Sequence, residues 1–355
     1  PPSGFLALCT SNLPDVAVVP SEHFNTVIYS GNGSTQSITG LGFAPNFSWF
    51  KSRSNATSHN VYDSVRGGHK YLLPDLTAAE QTGANGFVSL DSDGFSLNNA
   101  GGGGEVNVSG RTYVAWNWKA NGSGSSNTNG SINSTVSANV DAGFSIVSYT
   151  GNATSGATVG HGLSKAPELI LLKNRDNTSD FLAYSKGAGP TKFLRLSSHV
   201  VADTSSAVWN NTAPDATKFT LGNNSDPNAN GDDYIAYAFH SVDGYSAVGV
   251  YVGNLNVDGP FQFTGFRPSF VICKAVDHAK NWNIYDSLRS PHNEIKINLD
   301  ADNTNADYVS GTYNAVDFLS NGFKIRNNNT TNNNNGTNYI YIAFAETPFK
   351  YSNAK

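Results

Sequence analysis

Methionine is absent from the 355 residues, and only two are cysteine. Without methionine, Pro1 is not a translation start, so the chain is expected to be a processed product or a segment of something longer. Two cysteines are too few for a disulfide framework. Cys273 stands in an apolar slot and is expected to be a buried free thiol. A bridge from it to Cys9 has no support in the sequence. Charge is also scarce, at 14% Asp, Glu, Lys and Arg, against roughly 25% in typical soluble domains. A net charge of −5 gives no sign of the basic patch that marks a nucleic-acid or membrane-surface partner. No apolar run approaches the roughly 20 residues of a membrane-spanning helix. The longest, such as Leu169 to Leu172, are strand-sized.

Catalytic signatures are missing as well. There is no Cys-x-x-Cys, His-Glu-x-x-His, Gly-x-Ser-x-Gly or Gly-x-x-x-x-Gly-Lys-Ser/Thr. The eight histidines are scattered singly. His161 lies in Gly160-His161-Gly162, which reads as a turn. Asp63 and Asp286 occupy equivalent places, but Ser185 stands there in the middle of the chain, so turn capping outweighs a glycosidase-type acid pair. Asp226-Pro227-Asn228-Ala229-Asn230-Gly231 has the spacing of half a calcium loop, but Tyr237 stands where the bidentate Glu belongs. The reading favours a plain polar loop over residues 226–231. No catalytic, cofactor-binding or metal-ligating residue is assigned, and no cofactor is expected.

What the chain does have is repetition. Pro45-Asn46-Phe47-Ser48-Trp49-Phe50-Lys51 returns as Pro167-Glu168-Leu169-Ile170-Leu171-Leu172-Lys173 and as Pro268-Ser269-Phe270-Val271-Ile272-Cys273-Lys274. Eleven residues after each lysine stands a tyrosine: Tyr62, Tyr184, Tyr285. Gly31-Asn32, Gly151-Asn152 and Gly253-Asn254 open the copies. Tyr113-Val114-Ala115-Trp116, Tyr234-Ile235-Ala236-Tyr237 and Tyr341-Ile342-Ala343-Phe344 close them. The lysines are 122 and 101 residues apart, the length of a domain rather than of a thin solenoid repeat. What recurs is apolar spacing, not chemistry.

Within each copy the pattern is β. Phe47 to Lys51 is apolar on nearly every residue, as in a strand covered on both faces. Asp93-Gly94 and Asn321-Gly322 sit between apolar runs and predict hairpins, with these pairs as the central turn residues. The expected fold is all-β: three tandem β-sandwich, jelly-roll-like modules in series. Their boundaries are an extended connector over 1–22, modules over 23–119, 142–240 and 241–355, and a flexible Gly/Ser/Asn-rich linker over 120–141. Their matching cores are expected from Trp49, Leu171 and Ile272 and from Trp116, Tyr237 and Phe344. His59 aligns with Phe181 and Trp282 and replaces a packed aromatic. Lys51, Lys173 and Lys274 are expected to snorkel to the surface. Arg53 and Arg175 follow two of them, and Val276 the third.

Several phrases carry a family resemblance. Pro1-Pro2-Ser3-Gly4-Phe5-Leu6-Ala7-Leu8-Cys9-Thr10-Ser11-Asn12-Leu13-Pro14 looks like the junction after a SPRY-type lectin-like domain in large virion proteins of marine tailed phages, cyanophages included. Tyr113 to Gly122, Gly160-His161-Gly162-Leu163 and Tyr341 to Phe349 are similar to that family's recurring phrases. The chain thus resembles the C-terminal β-sandwich repeat region of such virion surface or tail fibre proteins. The resemblance implies a virion surface location and a non-enzymatic fibre, spike or appendage, with a host-surface glycan as a partner. It carries over no catalytic residue. Sister chains in a homotrimer and other virion proteins are the expected partners, with no nucleic acid and no membrane insertion. Two rivals stand beside it: a polysaccharide-degrading tailspike, and a capsid decoration or architectural protein without a receptor.

Overall fold

The computed structural model describes residues 18–99, 104–309 and 315–346. The fold is all-β, and one strand order recurs three times. In the first copy the order is Phe24–Ser30, Thr112–Trp118, Phe47–Ser52, Asn60–Asp63. In the second it is Phe144–Thr150, Asp233–Phe239, Leu169–Asn174, Leu182–Ser185. In the third it is Ser246–Val252, Asn338–Ala345, Pro268–Ala275, Asn283–Asp286. The tyrosines keep one register: Ser48 faces Tyr62, Ile170 faces Tyr184 and Val271 faces Tyr285.

Each of these sheets is buried on both faces. One face packs on a smaller outer sheet. In the first copy Phe50, Tyr62 and Ala115 meet Phe87, Phe95 and Leu97; the third repeats this with Cys273, Tyr285 and Ala343 against Phe318 and Phe323. In the second, Leu172, Tyr184 and Ala236 meet Val159, Phe219 and Trp209. Cys273 fills its apolar slot, where burial pushes its thiol up to about 12. Cys9 lies outside the described residues.

The opposite faces correct the expectation of modules in series. Trp49, Trp116 and Trp118, Leu171, Tyr237 and Phe239, and Phe270, Ile272 and Phe344 belong to one cluster. The expected module cores are therefore three walls of one common core. Trp118 shows this directly: its ring lies 4.9 Å from Phe24, 6.4 Å from Phe239 and 5.5 Å from Phe344. Strands apolar on both faces cannot be satisfied by one two-layer sandwich. The second face needs a partner, and the other two copies supply it.

Residues 120–141 are not a free linker. Ser125–Asn127 pairs with Ser134–Asn139, which runs beside Phe144–Thr150 from Ser134↔Tyr149 to Asn139↔Phe144. Ile132 and Val136 anchor this addition. Its Ser and Asn content is that of a short edge strand with turns at each end. In the expected connector, Val18 is buried in the common core and Pro20–Glu22 form a 3-10 turn; residues 1–17 lie outside the described residues.

The closing motif of the third copy also shifts. Tyr29 stacks on Tyr113, Tyr149 on Tyr234 and Tyr251 on Tyr339, with centroids 5.1, 5.0 and 4.8 Å apart. Tyr339, not Tyr341, is thus the counterpart of Tyr113 and Tyr234, and Ile342 rather than Phe344 matches Trp116 and Tyr237. A displacement of two preserves the side of a strand, so alternation alone could not detect it.

The two hairpins form with their turns one residue early. Asp91 pairs with Gly94 and Leu319 with Gly322, leaving Ser92-Asp93 and Ser320-Asn321 as the loops. Each glycine instead starts the returning strand. A Cβ on Gly94 would stand 1.9 Å from the Ile38 carbonyl oxygen, and one on Gly322 2.0 Å from that of Gln262. Close approach of a third strand requires both glycines, and Gly94 also holds a φ of 154°; neither is a central residue of the turn.

Candidate functional site

The three repeated lysines are the first candidates. They do not snorkel: Lys51, Lys173 and Lys274 are 1, 0 and 1% exposed. Lys51 Nζ donates to the carbonyls of Ser52 (3.1 Å) and, in the third copy, Thr304 (3.2 Å). Lys173 Nζ donates to Thr77 in the first copy (2.9 Å) and to the Ser179 carbonyl (2.5 Å). Lys274 Nζ donates to His199 (3.2 Å) and Val200 (2.9 Å) in the second copy and to Ala275 (3.0 Å). The first copy grips the third, the second grips the first, and the third grips the second. This is a head-to-tail interface that closes into a ring. Backbone bonds repeat the cycle: Asp307 N to Arg53 O, Glu80 N to Arg175 O, and Ala202 N to Val276 O, at 2.8, 2.7 and 2.8 Å.

Burial lowers each lysine to about 8, from about 10.4 in an unfolded chain. Between pH 8 and 10 the unfolded chain therefore binds protons that the folded chain has released. The lysines by themselves make stability rise with pH through that window, while Cys273 and the tyrosines whose hydroxyls burial raises oppose that rise towards pH 10. Lys274→Met is expected to lower stability by roughly 1–3 kcal/mol at pH 7, because carbonyls lose their donor. Relative to the parent it should also lose roughly one third of the lysines' contribution between pH 8 and 10, since three lysines share it. Urea midpoints of both proteins across that range check this; identical slopes would remove the lysines as the cause.

A polar set at two of the three contacts explains the acids. Asp63 accepts from Arg66 Nε (2.5 Å) and, across the contact, from the Tyr237 hydroxyl (2.7 Å). Arg66 reaches Glu80 (3.3 Å), onto which Arg175 of the second copy forks at 2.9 and 3.0 Å. The contact between third and first copies repeats this. Asp286 accepts from Arg289 Nε (2.5 Å) and Trp116 Nε1 (3.1 Å), and Asp307 from Arg289 (2.9 Å) and Arg53 (2.7 Å). At the remaining contact the five corresponding residues are Ser185, Ala188, Ala202, Val276 and Ile342. The whole set has been exchanged for small and apolar side chains together. Asp63 and Asp286 also cap turns, accepting from Arg66 N (2.9 Å) and Arg289 N (2.8 Å).

His59, Phe181 and Trp282 line the same contacts. His59 Nδ1 accepts from Trp49 Nε1 (2.8 Å), so its Nε2–H donates to the Asp300 carbonyl in the third copy (3.0 Å). Burial, then the Lys51 charge, holds this ring well below the usual histidine range. The backbone amides of the three residues donate to Asp75, Ser197 and Asp302 at 2.9, 3.2 and 3.0 Å. Burial pushes Asp302 up to about 7. Such a perturbed carboxyl in a cleft is a catalytic candidate, but its role is shared with a serine and recurs in each copy. His161 is likewise pinned, accepting from Leu163 N (3.1 Å) and meeting the Asp215 carbonyl (3.1 Å).

The loop 226–231 belongs to another repeated device. Asn107, Asn228 and Asn333 are fully buried. Their Oδ1 atoms accept from the amides of Asn32, Asn152 and Asn254 at 3.1, 2.9 and 2.8 Å. Their Nδ2 atoms donate to carbonyls of the adjoining turns, such as Ser34, Thr154 and Asn256. The Gly before each donating Asn lets the backbones meet: a Cβ there would lie 2.2–2.3 Å from a carbonyl oxygen. Asn228 thus spends both polar atoms on the fold, while Tyr237 points to Asp63 in the first copy. The calcium-like spacing reflects a structural staple.

Features that occur three times belong to the scaffold. One stretch of the third copy departs from its counterparts. Gly33, Ala153 and Leu255 occupy the same step and have φ of 68, 55 and 52°. A leucine held in that region is strained. Two residues on, the third copy carries Val257 where the others carry Thr35 and Ser155, and its outer edge strand carries Phe261 and Phe263 where the first carries Ser37 and Thr39. Leu255, Val257, Phe261 and Phe263 are 43, 61, 42 and 68% exposed. The two phenylalanines stand on the edge strand Phe261–Phe263 of the third outer sheet. Phe261, Lys324 and Asp317 form one cross-strand row, and Phe263, Gly322 and Leu319 the next. Gly322 leaves room for the Phe261 ring, whose Cε2 a Cβ there would meet at 3.0 Å. Beside it, Val257, Asp258, Glu294, Arg326 and Asn328 line a cavity of about 440 Å³. The ion pair Lys324–Asp258 (2.5 Å) joins the row to the cavity, as does Arg326–Asp317 (3.2 Å).

The family described as Domain of unknown function (DUF7483) matches residues 19–348. The chain belongs to that family. No curated protein and no solved structure matches it. A single DUF7483 match runs through all three copies, in keeping with their common core.

Sequence reasoning missed the Leu255–Phe263 face of this DUF7483 chain. The signal was present: four large apolar residues within nine positions, in the loop where the other copies are small and polar. Attention to what the copies share, rather than to where one departs, passed over it.

Proposed function

We propose that this chain is a non-enzymatic virion surface protein of a tailed phage, a tail fibre, spike or appendage that contacts host-surface glycan. The third copy's face around Leu255–Phe263 is its contact surface. The observation that carries this reading is the departure from threefold repetition. Exposed large apolar side chains cost a scaffold solubility, and the other two copies fold with small or polar residues at these places. The resemblance to marine tailed-phage virion proteins supports the location. The buried acids, lysines and histidines are engaged in contacts between copies, which supports a non-enzymatic role over a polysaccharide-degrading one. Homotrimer assembly with sister chains stays part of the proposal, through surfaces outside the cyclic contact that one chain completes.

Fluorescently labelled protein incubated with a panel of marine bacteria, cyanobacteria included, tests it. A Phe261→Ala/Phe263→Ala variant is expected to lose about tenfold or more in binding, as for aromatic anchors, with its melting temperature unchanged. Equal binding by the variant removes this face as the contact surface. Release of oligosaccharides from host polysaccharide overturns the non-enzymatic reading.

A further inference from the structure

We infer that the face of the third copy takes a neutral sugar chain, bound by stacking on Phe261 and Phe263 and by hydroxyl contacts in the adjoining cavity. This rests on reading that face as the ligand surface, and adds the chemical class of the ligand. The first argument is shape and polarity. A flat apolar row beside a cavity of about 440 Å³ suits a ligand with one C–H face and a rim of hydroxyls. The volume falls in the range of small-molecule sites, roughly 300–1,000 Å³. Glu294 and Asp258 can accept from hydroxyls, while the Asn328 amide can both donate and accept.

The second argument is charge. Asp258 pairs with Lys324 (2.5 Å), Glu294 with Lys296 (2.9 Å) and Asp317 with Arg326 (3.2 Å). Three acids against three bases leave no net charge across the site. An acidic sugar would lie beside the carboxylates of Asp258 and Glu294, and like charges set against each other cost affinity. A neutral sugar meets no such cost. The copies themselves supply a control. Ser37 and Thr39 stand on the first copy's corresponding edge strand, Gln36–Thr39, and no aromatic side chain does.

Isothermal titration of the full chain tests the inference, with neutral glucan, mannan and galactan oligosaccharides set against uronate-containing and sulfated ones. Binding of at least one neutral oligosaccharide is expected, with an affinity that changes less than about twofold between 50 and 500 mM NaCl, as no charges are neutralised. Phe263→Ala, whose side chain is mostly exposed, should fold normally and weaken binding about tenfold. Glu294→Gln, which keeps an acceptor, should weaken it less. Binding only to acidic glycans, no binding to any neutral one, or binding that Phe263→Ala leaves intact overturns the inference. Cell binding separates the two readings. A chain that binds cells but no neutral oligosaccharide loses the sugar class and keeps attachment. A chain that binds the oligosaccharides but no cells keeps the subsite and loses attachment.

Discussion

Trp118→Ala is expected to lower stability by about 3–5 kcal/mol, the usual effect of emptying a large aromatic site in a packed core, and to lower all three copies' melting together. Trp118 ends a strand of the first copy, yet its ring touches Phe47, Phe239 and Phe270, one or more from each copy. A cavity at that point opens the walls of all three sheets. If the copies were beads on a string, the variant would melt the first and leave the other two at their original temperature. Differential scanning calorimetry distinguishes these outcomes. One transition, displaced as a whole, is expected for both the parent chain and the variant. Three separable transitions, only one of them shifted, would refute the common core.

Asp63→Ala should have a comparable effect, by about 3–5 kcal/mol, because it takes from the buried Arg66 guanidinium its nearest carboxylate and leaves it only Glu80, at 3.3 Å, to balance its charge. The Asp63 and Arg66 side chains are both fully buried. The chain itself supplies the rescue. At the contact between the second and third copies, Ser185, Ala188, Ala202, Val276 and Ile342 stand where Asp63, Arg66, Glu80, Arg175 and Tyr237 stand at the contact between first and second. Moving the whole apolar set into the polar contact, as Asp63→Ser/Arg66→Ala/Glu80→Ala/Arg175→Val/Tyr237→Ile, should restore most of the loss. Each charge then leaves with its partner, and apolar replacement of a buried ion network is often neutral or stabilising. Chemical denaturation of parent, single variant and fivefold variant measures this. A fivefold variant no more stable than Asp63→Ala would show that the five positions do not act as one set.

The Lys-to-Tyr spacing and the alternation of apolar residues determined the local elements by themselves. A run with large apolar residues on both alternate sets, Phe47 and Trp49 on one and Phe50 on the other, already implied a strand with two covered faces, because a strand exposes alternate residues to opposite sides. The turn glycines were legible as hairpin markers too. Yet what requires Gly94 and Gly322 is the carbonyl of a third strand, which is distant in sequence. The tertiary structure alone decided what covers the second face of each sheet. Sequence periodicity names a buried face but not its partner, so the same pattern fits three separate sandwiches or three walls of one core. It also decided the fate of the charges. Lys51, Lys173 and Lys274 end their strands as surface lysines do, and the carbonyls of another copy that draw them inward lie on loops 74 to 253 residues away. Arg53 and Arg175 against Val276, and Asp63 and Asp286 against Ser185, were visible as unexplained differences. They became one substitution only when the ring of contacts placed them side by side.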